Sequence, residues 1–300
     1  MYNATRITIG DQVFEGLRTE FQITRATALY SRATLQVYNM SLESFNALKY
    51  DAISILEVLS TSGWQKIFTG NFRLQQRRNS EGSTISTLDF FESVLLYKDK
   101  YNLSMDAGST GNDVIKYFKD AMPMIDFVIS DKAQSLIDEL VFPGGYSPPV
   151  GDYYTLLTDF IFDHLGIENE PYFDNSKIVI GETNKAPIKI NVNTGMIDSP
   201  EFVKRIGKQS GESEFSGSVY CRLLPTVSIY DKIYIESQYL KVTNDNIFAV
   251  GSGVTEQQYQ SIKQPGNGLY ISKKITHNGD THTKTWQTKI DFVGADLDRT

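Results

Sequence analysis

The chain carries three histidines, His164, His277 and His282. His277 and His282 bracket Asp280 in the stretch THNGDTH, which places two imidazoles and a carboxylate close together, as a metal site requires. The spacing matches no defined zinc motif. The same residues read more simply as a polar hairpin tip whose Asp side chain bonds local backbone. His164 falls near the C-terminus of a helical stretch, where an imidazolium interacts well with the helix dipole. Asp159 and Asp163 lie four apart on that same helix. A carboxylate-dependent hydrolase needs such a pair around a cleft, but a solvated helix face is the commoner origin of the spacing. Cys221 alternates with Val219 and Leu223, which describes a buried, inert thiol. GSTGND (108–113) lacks the Lys-Ser/Thr ending of a phosphate loop. The basic run QQRR (75–78) at a strand end fits a charged edge that deters sheet-to-sheet pairing. Trp64 and Trp286 alternate with apolar neighbours and are expected in the core. No active site assembles from these residues, so neither catalysis nor a cofactor or metal is expected.

The elements that would position them are mostly strands. Residues 17–26, 33–39, 53–60, 64–72 and 84–91 show period-two alternation or apolar runs between turn signals. Ser41 opens a short helix as its N-cap. The middle differs. Residues 111–121, 131–140 and 152–165 have helical spacing, with Thr110 or Asn112, then Asp152, as caps and Gly166 as the stop. The Gly/Pro stretch 142–152 breaks both helix and ladder. Strands return at 188–192, 218–224, 232–236, 269–277 and 283–293. A Gly/Ser/Glu-rich loop is expected over 195–217, a hairpin turn at Asn278-Gly279, and a short helix opening at Thr255 with Gln258 completing its capping box. The expected fold is therefore α+β and β-rich: a β-domain over 1–100, a mixed α/β domain over 101–185, and a second β-domain over 186–300 with a long polar insertion near 244–268.

Composition agrees. Three hundred residues suit two or three domains at about 100–200 residues each. Hydrophobic residues make up 40% and charged residues 22%, which excludes a disordered tail. With 29 Lys+Arg against 36 Asp+Glu, the net charge of -7 argues against a dedicated duplex-DNA binder. One cysteine excludes an internal disulfide. No apolar run reaches the ~18 residues of a membrane span, so no membrane embedding is expected. The N-terminus has no apolar signal region.

Four blocks resemble the baseplate hub proteins of contractile phage tails and related injection machines. They are LQVYNMSLESFNALK (35–49), WQKIFTGNF with Trp64, Phe68 and Gly70, NTGMIDSP with Gly195 and Pro200 followed by a strand ending at Leu224 and Pro225, and the terminal block with His277, Gly279, Asp280, Thr281, Trp286 and Thr288. They cover about a third of the chain. The resemblance implies two tail-tube-like antiparallel β-barrel domains around an intervening mixed domain. It implies a non-enzymatic homotrimer in the baseplate of the virion, assembled in the host cytoplasm. Its expected partners are a tail tube protein above, a separate spike protein below, and wedge or tape-measure proteins, with DNA only as cargo through an acidic lumen. The competing expectations are a phage-associated cell-wall or polysaccharide hydrolase, using Asp159 and Asp163, and a β-rich carbohydrate-binding module.

Overall fold

The computed structural model describes residues 3–26, 29–92, 99–123, 125–167, 169–175, 177–182, 185–206, 213–239, 241–244 and 266–294. The chain forms two compact units, Met1–Asn184 and Lys185–Thr300.

The first unit opens with seven strands: β1 (Thr5–Ile9), β2 (Gln12–Glu15), β3 (Thr19–Ala26), β4 (Leu29–Tyr38), β5 (Ile53–Ser60), β6 (Gly63–Ser80) and β7 (Ser83–Phe91). They pair antiparallel in the order β3-β4-β7-β6-β5-β1-β2. Helix α1 (Leu42–Asn46) joins β4 to β5, and the Ser41 hydroxyl accepts from the Ser44 amide at 3.0 Å. Alternation buries one face: Phe21 and Ile23, Ala33, Leu35 and Val37, Leu88 and Phe90 all point inward. Bulges interrupt it, two of them in β6. Leu56 pairs with Phe68 but Glu57 with Lys66, so Ile67 is an extra residue and both Ile67 and Phe68 enter the core. Phe72 pairs with Phe90 but Leu74 with Asp89, so Arg73 is extra in β6.

The rest of this unit contains β8 (Lys100–Tyr101), β9 (Ser109–Thr110), α2 (Gly111–Ala121), β10 (Asp126–Ile129), α3 (Asp131–Glu139), β11 (Val141–Phe142), β12 (Gly151–Asp152), α4 (Tyr153–Leu165), β13 (Tyr172–Phe173) and β14 (Lys177–Ile180). Local chemistry sets the helix ends. Thr110 and Asp113 form a capping box on α2, Asp152 caps α4, and Gly166 ends it in the left-handed conformation. The helices share a core of Val114, Phe118, Ile137, Leu156, Leu157 and Phe160. The buried Tyr153 hydroxyl donates to the Phe118 carbonyl at 2.7 Å.

The second unit is one mixed sheet of β15 (Ile188–Ile190), β16 (Glu201–Ile206), β17 (Ser213–Arg222), β18 (Lys232–Ile235), β19 (Lys241–Asn244), β20 (Gly268–Asp280) and β21 (Trp286–Gly294). Its order is β19-β16-β17-β21-β20-β18-β15, with β16–β19 and β15–β18 parallel and the other pairs antiparallel.

The two sheets follow one path. The run β3-β4-β7-β6-β5-β1 in the first unit is repeated as β16-β17-β21-β20-β18-β15 in the second. In each, the second strands of two hairpins meet at the centre. Register agrees as well. Ser272 pairs with Phe292 and Lys274 with Asp291, so Lys273 is the extra residue of β20, as Arg73 is of β6. The turn before β5 is closed by Asp51 N–H to Phe72 O (2.8 Å) and Phe72 N–H to Ala52 O (3.0 Å). The turn before β18 repeats this with Tyr230 N–H to Ser272 O (2.9 Å) and Ser272 N–H to Asp231 O (3.1 Å). Asp51 and Tyr230 both sit at positive φ, 66° and 62°. The copies differ in their first strand, antiparallel in β1–β5 and parallel in β15–β18.

Several sequence expectations need correction. Asn278-Gly279 is not a turn: both residues lie in β20, paired with Gln287 and Trp286. The reversal comes later because Asp280 Oδ1 accepts the His282 amide at 2.8 Å and the Asp280 carbonyl accepts from Thr283. The loop expected over 195–217 contains β16 and the start of β17, whose polar composition hides a buried Phe202. QQRR lies inside β6 rather than at a strand end. Val192 is exposed, because an Asn191–Thr194 turn ends β15. Trp64 and Trp286 are half-buried rather than core; Trp64 lies under the Arg6 guanidinium, 4.2 Å from its ring centre. The expected helix at 255–263 and most of the polar insertion lie outside the described residues.

Arg25 continues the inward series of Phe21 and Ile23 and is buried. Its Nη2 donates to the Ile67 carbonyl and to Asn175 Oδ1 (3.0 Å), and its Nη1 to Asp174 Oδ1 (3.2 Å). Arg25→Met is expected to lower unfolding free energy by about 2–4 kcal/mol, because it strands a carboxylate and a buried carbonyl. Asp174→Asn, which keeps an acceptor, should cost less. Urea denaturation of both variants measures the difference.

Candidate functional site

The residues singled out in the terminal block form a buried polar chain. His277 on β20 faces Thr288 on β21, with Nδ1 2.8 Å from the Thr288 hydroxyl. That hydroxyl accepts from the Leu224 amide at 2.9 Å. Its proton and its second lone pair both remain for Nδ1, so the imidazole tautomer sets which of the two donates. The result pins the Leu224-Pro225 loop to the hairpin. Gly195 lies nearby in sequence pairing: its carbonyl accepts from Arg222 at 2.8 Å, its φ is 104°, and a Cβ there would press on the Arg222 side chain at 3.3 Å. Pro200 is buried just before β16, and Gly279 pairs with Trp286. Asp280 and Thr281 shape the turn, where the Thr281 hydroxyl meets His282 Nδ1 at 3.1 Å.

His277 is thus buried and His282 exposed. Among the described residues no group of three His, Cys, Asp or Glu side chains is placed to hold a metal ion. Thr288→Val should cost about 1–3 kcal/mol, since it takes the shared partner from a part-buried amide and a buried imidazole nitrogen. Thr288→Ser should recover most of that in the same thermal or urea melt.

In the first unit Phe68 fills the core beside the Ile67 bulge, and Gly70 packs against it. A Cβ at Gly70 would lie 2.7 Å from the Phe68 ring and 2.8 Å from the Phe91 carbonyl. Gly217 plays a similar part in β17, where a Cβ would collide with the Glu201 carbonyl and approach the Phe292 ring at 2.7 Å. These glycines allow strand and ring to close on each other. A void of about 10 Å³ beside Phe68, lined by Ile7, Leu35 and Phe90, has room for about one water.

Asp159 and Asp163 are exposed on α4. His164, in the last turn of α4, packs edge-on against Phe142 and Tyr146 at 5.2 and 5.0 Å between ring centres. Burial pushes the Cys221 thiol up to about 12, so it is neither a nucleophile nor a ready metal ligand at neutral pH. The native protein is expected not to react with a thiol reagent such as DTNB over minutes, and to react with one equivalent in 6 M guanidinium.

Sequence reasoning missed the charged groups that organise the sheets. Asp231 is buried, accepts the Ser228 amide at 2.8 Å and pairs with Lys185 at 3.2 Å. On the outward faces, cations pair with carboxylates: Arg18 with Glu20 (2.9 Å), Arg32 with Asp89 (2.9 Å) and Lys289 with Asp291 (3.0 Å). Their parity along alternating strands was the available signal: Arg25 falls on the inward phase, and Arg32, Asp89, Lys289 and Asp291 on the outward one.

No protein-family model matches the chain, and no curated protein sequence does either. Solved structures match its fold over nearly the whole length. A tail protein from Neisseria meningitidis MC58 superposes with a TM-score of 0.61 at 10% identity, covering 98% of this chain and 97% of that one. The 43 kDa tail protein of prophage MuSo2 from Shewanella oneidensis gives 0.63 at 10% identity, covering 97% and 96%. The E. coli c3393 protein, a type VI secretion component described as similar to the T4 tail proteins gp27 and gp5, gives 0.54 at 8% identity, covering 97% and 77%. The chain shares the fold of these phage tail and secretion-system proteins.

Proposed function

We propose that the chain is a structural component of a phage tail or related injection machine, and specifically the hub of its baseplate. The observation that carries this is the repeated sheet path, with matching bulges and turns, inside a fold shared with phage tail proteins. In this reading residues 1–100 and 186–300 are tube-like β-domains, residues 101–185 are the mixed domain between them, and the two sheets curl as barrels. Three chains then present six similar domains, so a homotrimer meets a sixfold tail tube on one side and a threefold spike, a separate protein, on the other. Wedge or tape-measure proteins contact its periphery. DNA passes through the lumen as cargo. The outward cations Arg18, Arg32 and Lys289 are each paired with a carboxylate, which leaves them poorly available to phosphates. The protein has no catalytic role in this reading, and its place is the virion tail baseplate, after assembly in the host cytoplasm. The motif positions Trp64, Phe68, Gly70, Gly195, Pro200, Leu224, Pro225, His277, Gly279, Asp280, Thr281, Trp286 and Thr288 act by shaping the domains.

Electron microscopy of the purified protein mixed with its tail-tube protein tests the reading. Rings with a central hole, or tubes nucleated on them, and a three-chain mass in native mass spectrometry are expected. A single-chain species at all concentrations, with no effect on tube assembly, would overturn it.

A further inference from the structure

The β6–β7 hairpin runs on past β5. Ile53, the first residue of β5, pairs with Asn71, while β6 continues to Ser80. At Phe72 the outer backbone groups of β6 are still taken, by Asp51 and Ala52. Beyond it the two-residue turn Glu81-Gly82 sets the phase of the ladder. Both turn residues sit at positive φ, 49° and 77°, so Ser80 and Ser83 form the closing bonded pair. Bonded pairs then recur at Arg78–Ile85 and Gln76–Thr87. Thr84 has the complementary phase: its backbone turns away from β6, accepting from the Asn39 amide at 2.7 Å and donating to Asn39 Oδ1 at 3.2 Å. Gln75, Arg77 and Asn79 therefore aim their N–H and C=O groups out of the free edge of β6. Among the described residues no strand, backbone group or side chain meets them there.

This edge is also cationic. Arg6, Arg18, Arg25, Arg32 and Arg73 each have a carboxylate partner. Arg77 and Arg78 have none among the described residues. Arg78 is exposed on the outward face, which it shares with Leu74, 48% exposed. Arg77 lies on the opposite face, half-buried over the Phe45 ring at 5.5 Å, with Nη1 enclosed and lacking a hydrogen-bond partner. Two copies paired edge to edge about Arg77 or Arg78 would set like charges opposite each other, which is unfavourable. An acidic strand brings opposite charges to the same backbone groups.

We propose that residues 75–79 of β6 receive an added strand from another polypeptide, an extended segment carrying two adjacent carboxylates. Its backbone continues the sheet at Gln75, Arg77 and Asn79. Consecutive strand residues face opposite sides, so one carboxylate meets Arg78 and the next meets Arg77. In antiparallel pairing, an apolar residue three positions beyond the second carboxylate lies beside Leu74. Such a site needs neither a ring nor a tube, so its test is separate from that of the hub reading.

The full chain is titrated, by fluorescence anisotropy, with two labelled peptides, Thr-Glu-Glu-Thr-Thr-Val-Thr and Thr-Lys-Lys-Thr-Thr-Val-Thr. The acidic peptide should bind at least tenfold tighter, and the double variant Arg77→Glu/Arg78→Glu should reverse the order. Gln75→Pro removes an outward N–H and leaves the ladder to β7 intact. It should weaken the acidic peptide at least tenfold with little change in melting temperature. Equal binding of the two peptides, or an unchanged affinity in Gln75→Pro, overturns the proposal. So does self-association of the native chain that Gln75→Pro abolishes while neither peptide binds, which would make a second copy the occupant. Should the proline variant melt early, amide exchange in the native chain decides. Slower exchange at Arg77 and Asn79 with the acidic peptide supports the added strand, and unchanged exchange overturns it.

Discussion

One buried guanidinium holds the first unit together. A β-bulge at Ile67 lets two consecutive large residues enter the core, but it takes the Ile67 carbonyl out of the regular ladder. An unpaired carbonyl inside a protein is costly. Arg25 answers it from β3 and uses its remaining donors on Asp174 and Asn175, in the turn between β13 and β14. The cation is thereby fixed by a carboxylate, an amide oxygen and a backbone oxygen together, the condition under which a buried charge is tolerable. Sheet curvature at the bulge and the seating of the 172–180 segment are consequently one problem with one solution.

The second unit solves its comparable problem with different residues. Its β20 bulge is stabilised where Asp231, Ser228, Ser272 and Lys185 meet, and Lys273 lies over the Tyr230 ring at 4.3 Å. Backbone geometry is shared while side chains are exchanged. Asp51 corresponds to Tyr230, Phe72 to Ser272, and Ala33, opposite Phe90, to Gly217, opposite Phe292. What the two copies keep is small size opposite a ring, an extra basic residue at the bulge, and a left-handed residue at the turn.

This explains how far the sequence could be read. Helix α4 was legible because its signals are local: Asp152 in front, Gly166 behind, and apolar residues at helical spacing between. The inward series on β3 and β4 was legible for the same reason. Strand β16 was hidden, since a single buried Phe202 in a polar stretch carries too little pattern. Asn278-Gly279 misled because a strong turn signal lost to cross-strand pairing and to the side chain of the next residue, Asp280, which sets the turn. Of the candidate site, the participation of His277, Thr288 and Leu224 was anticipated from motif positions, but their hydrogen-bonded chain was not, because register decides it. The duplication was expected from the family resemblance alone and not legible in the residues themselves, because it resides in bulges and pairings, which shift every later residue's partner without altering composition.

The central position of the last strand of each hairpin pair has a consequence for how the sheets come to exist. β7 lies between β4 and β6, and β21 lies between β17 and β20. In both copies the strand translated last is the one that divides the sheet's two halves. Until β21 arrives, β17 and β20 each present an open edge, and their closure spans long sequence separations such as Ser216 to Val293. The two halves of each sheet are therefore joined only through a strand that stands late in chain order, so a chain cut short before β21 keeps β17 and β20 but leaves each with an open edge where the sheet should be continuous.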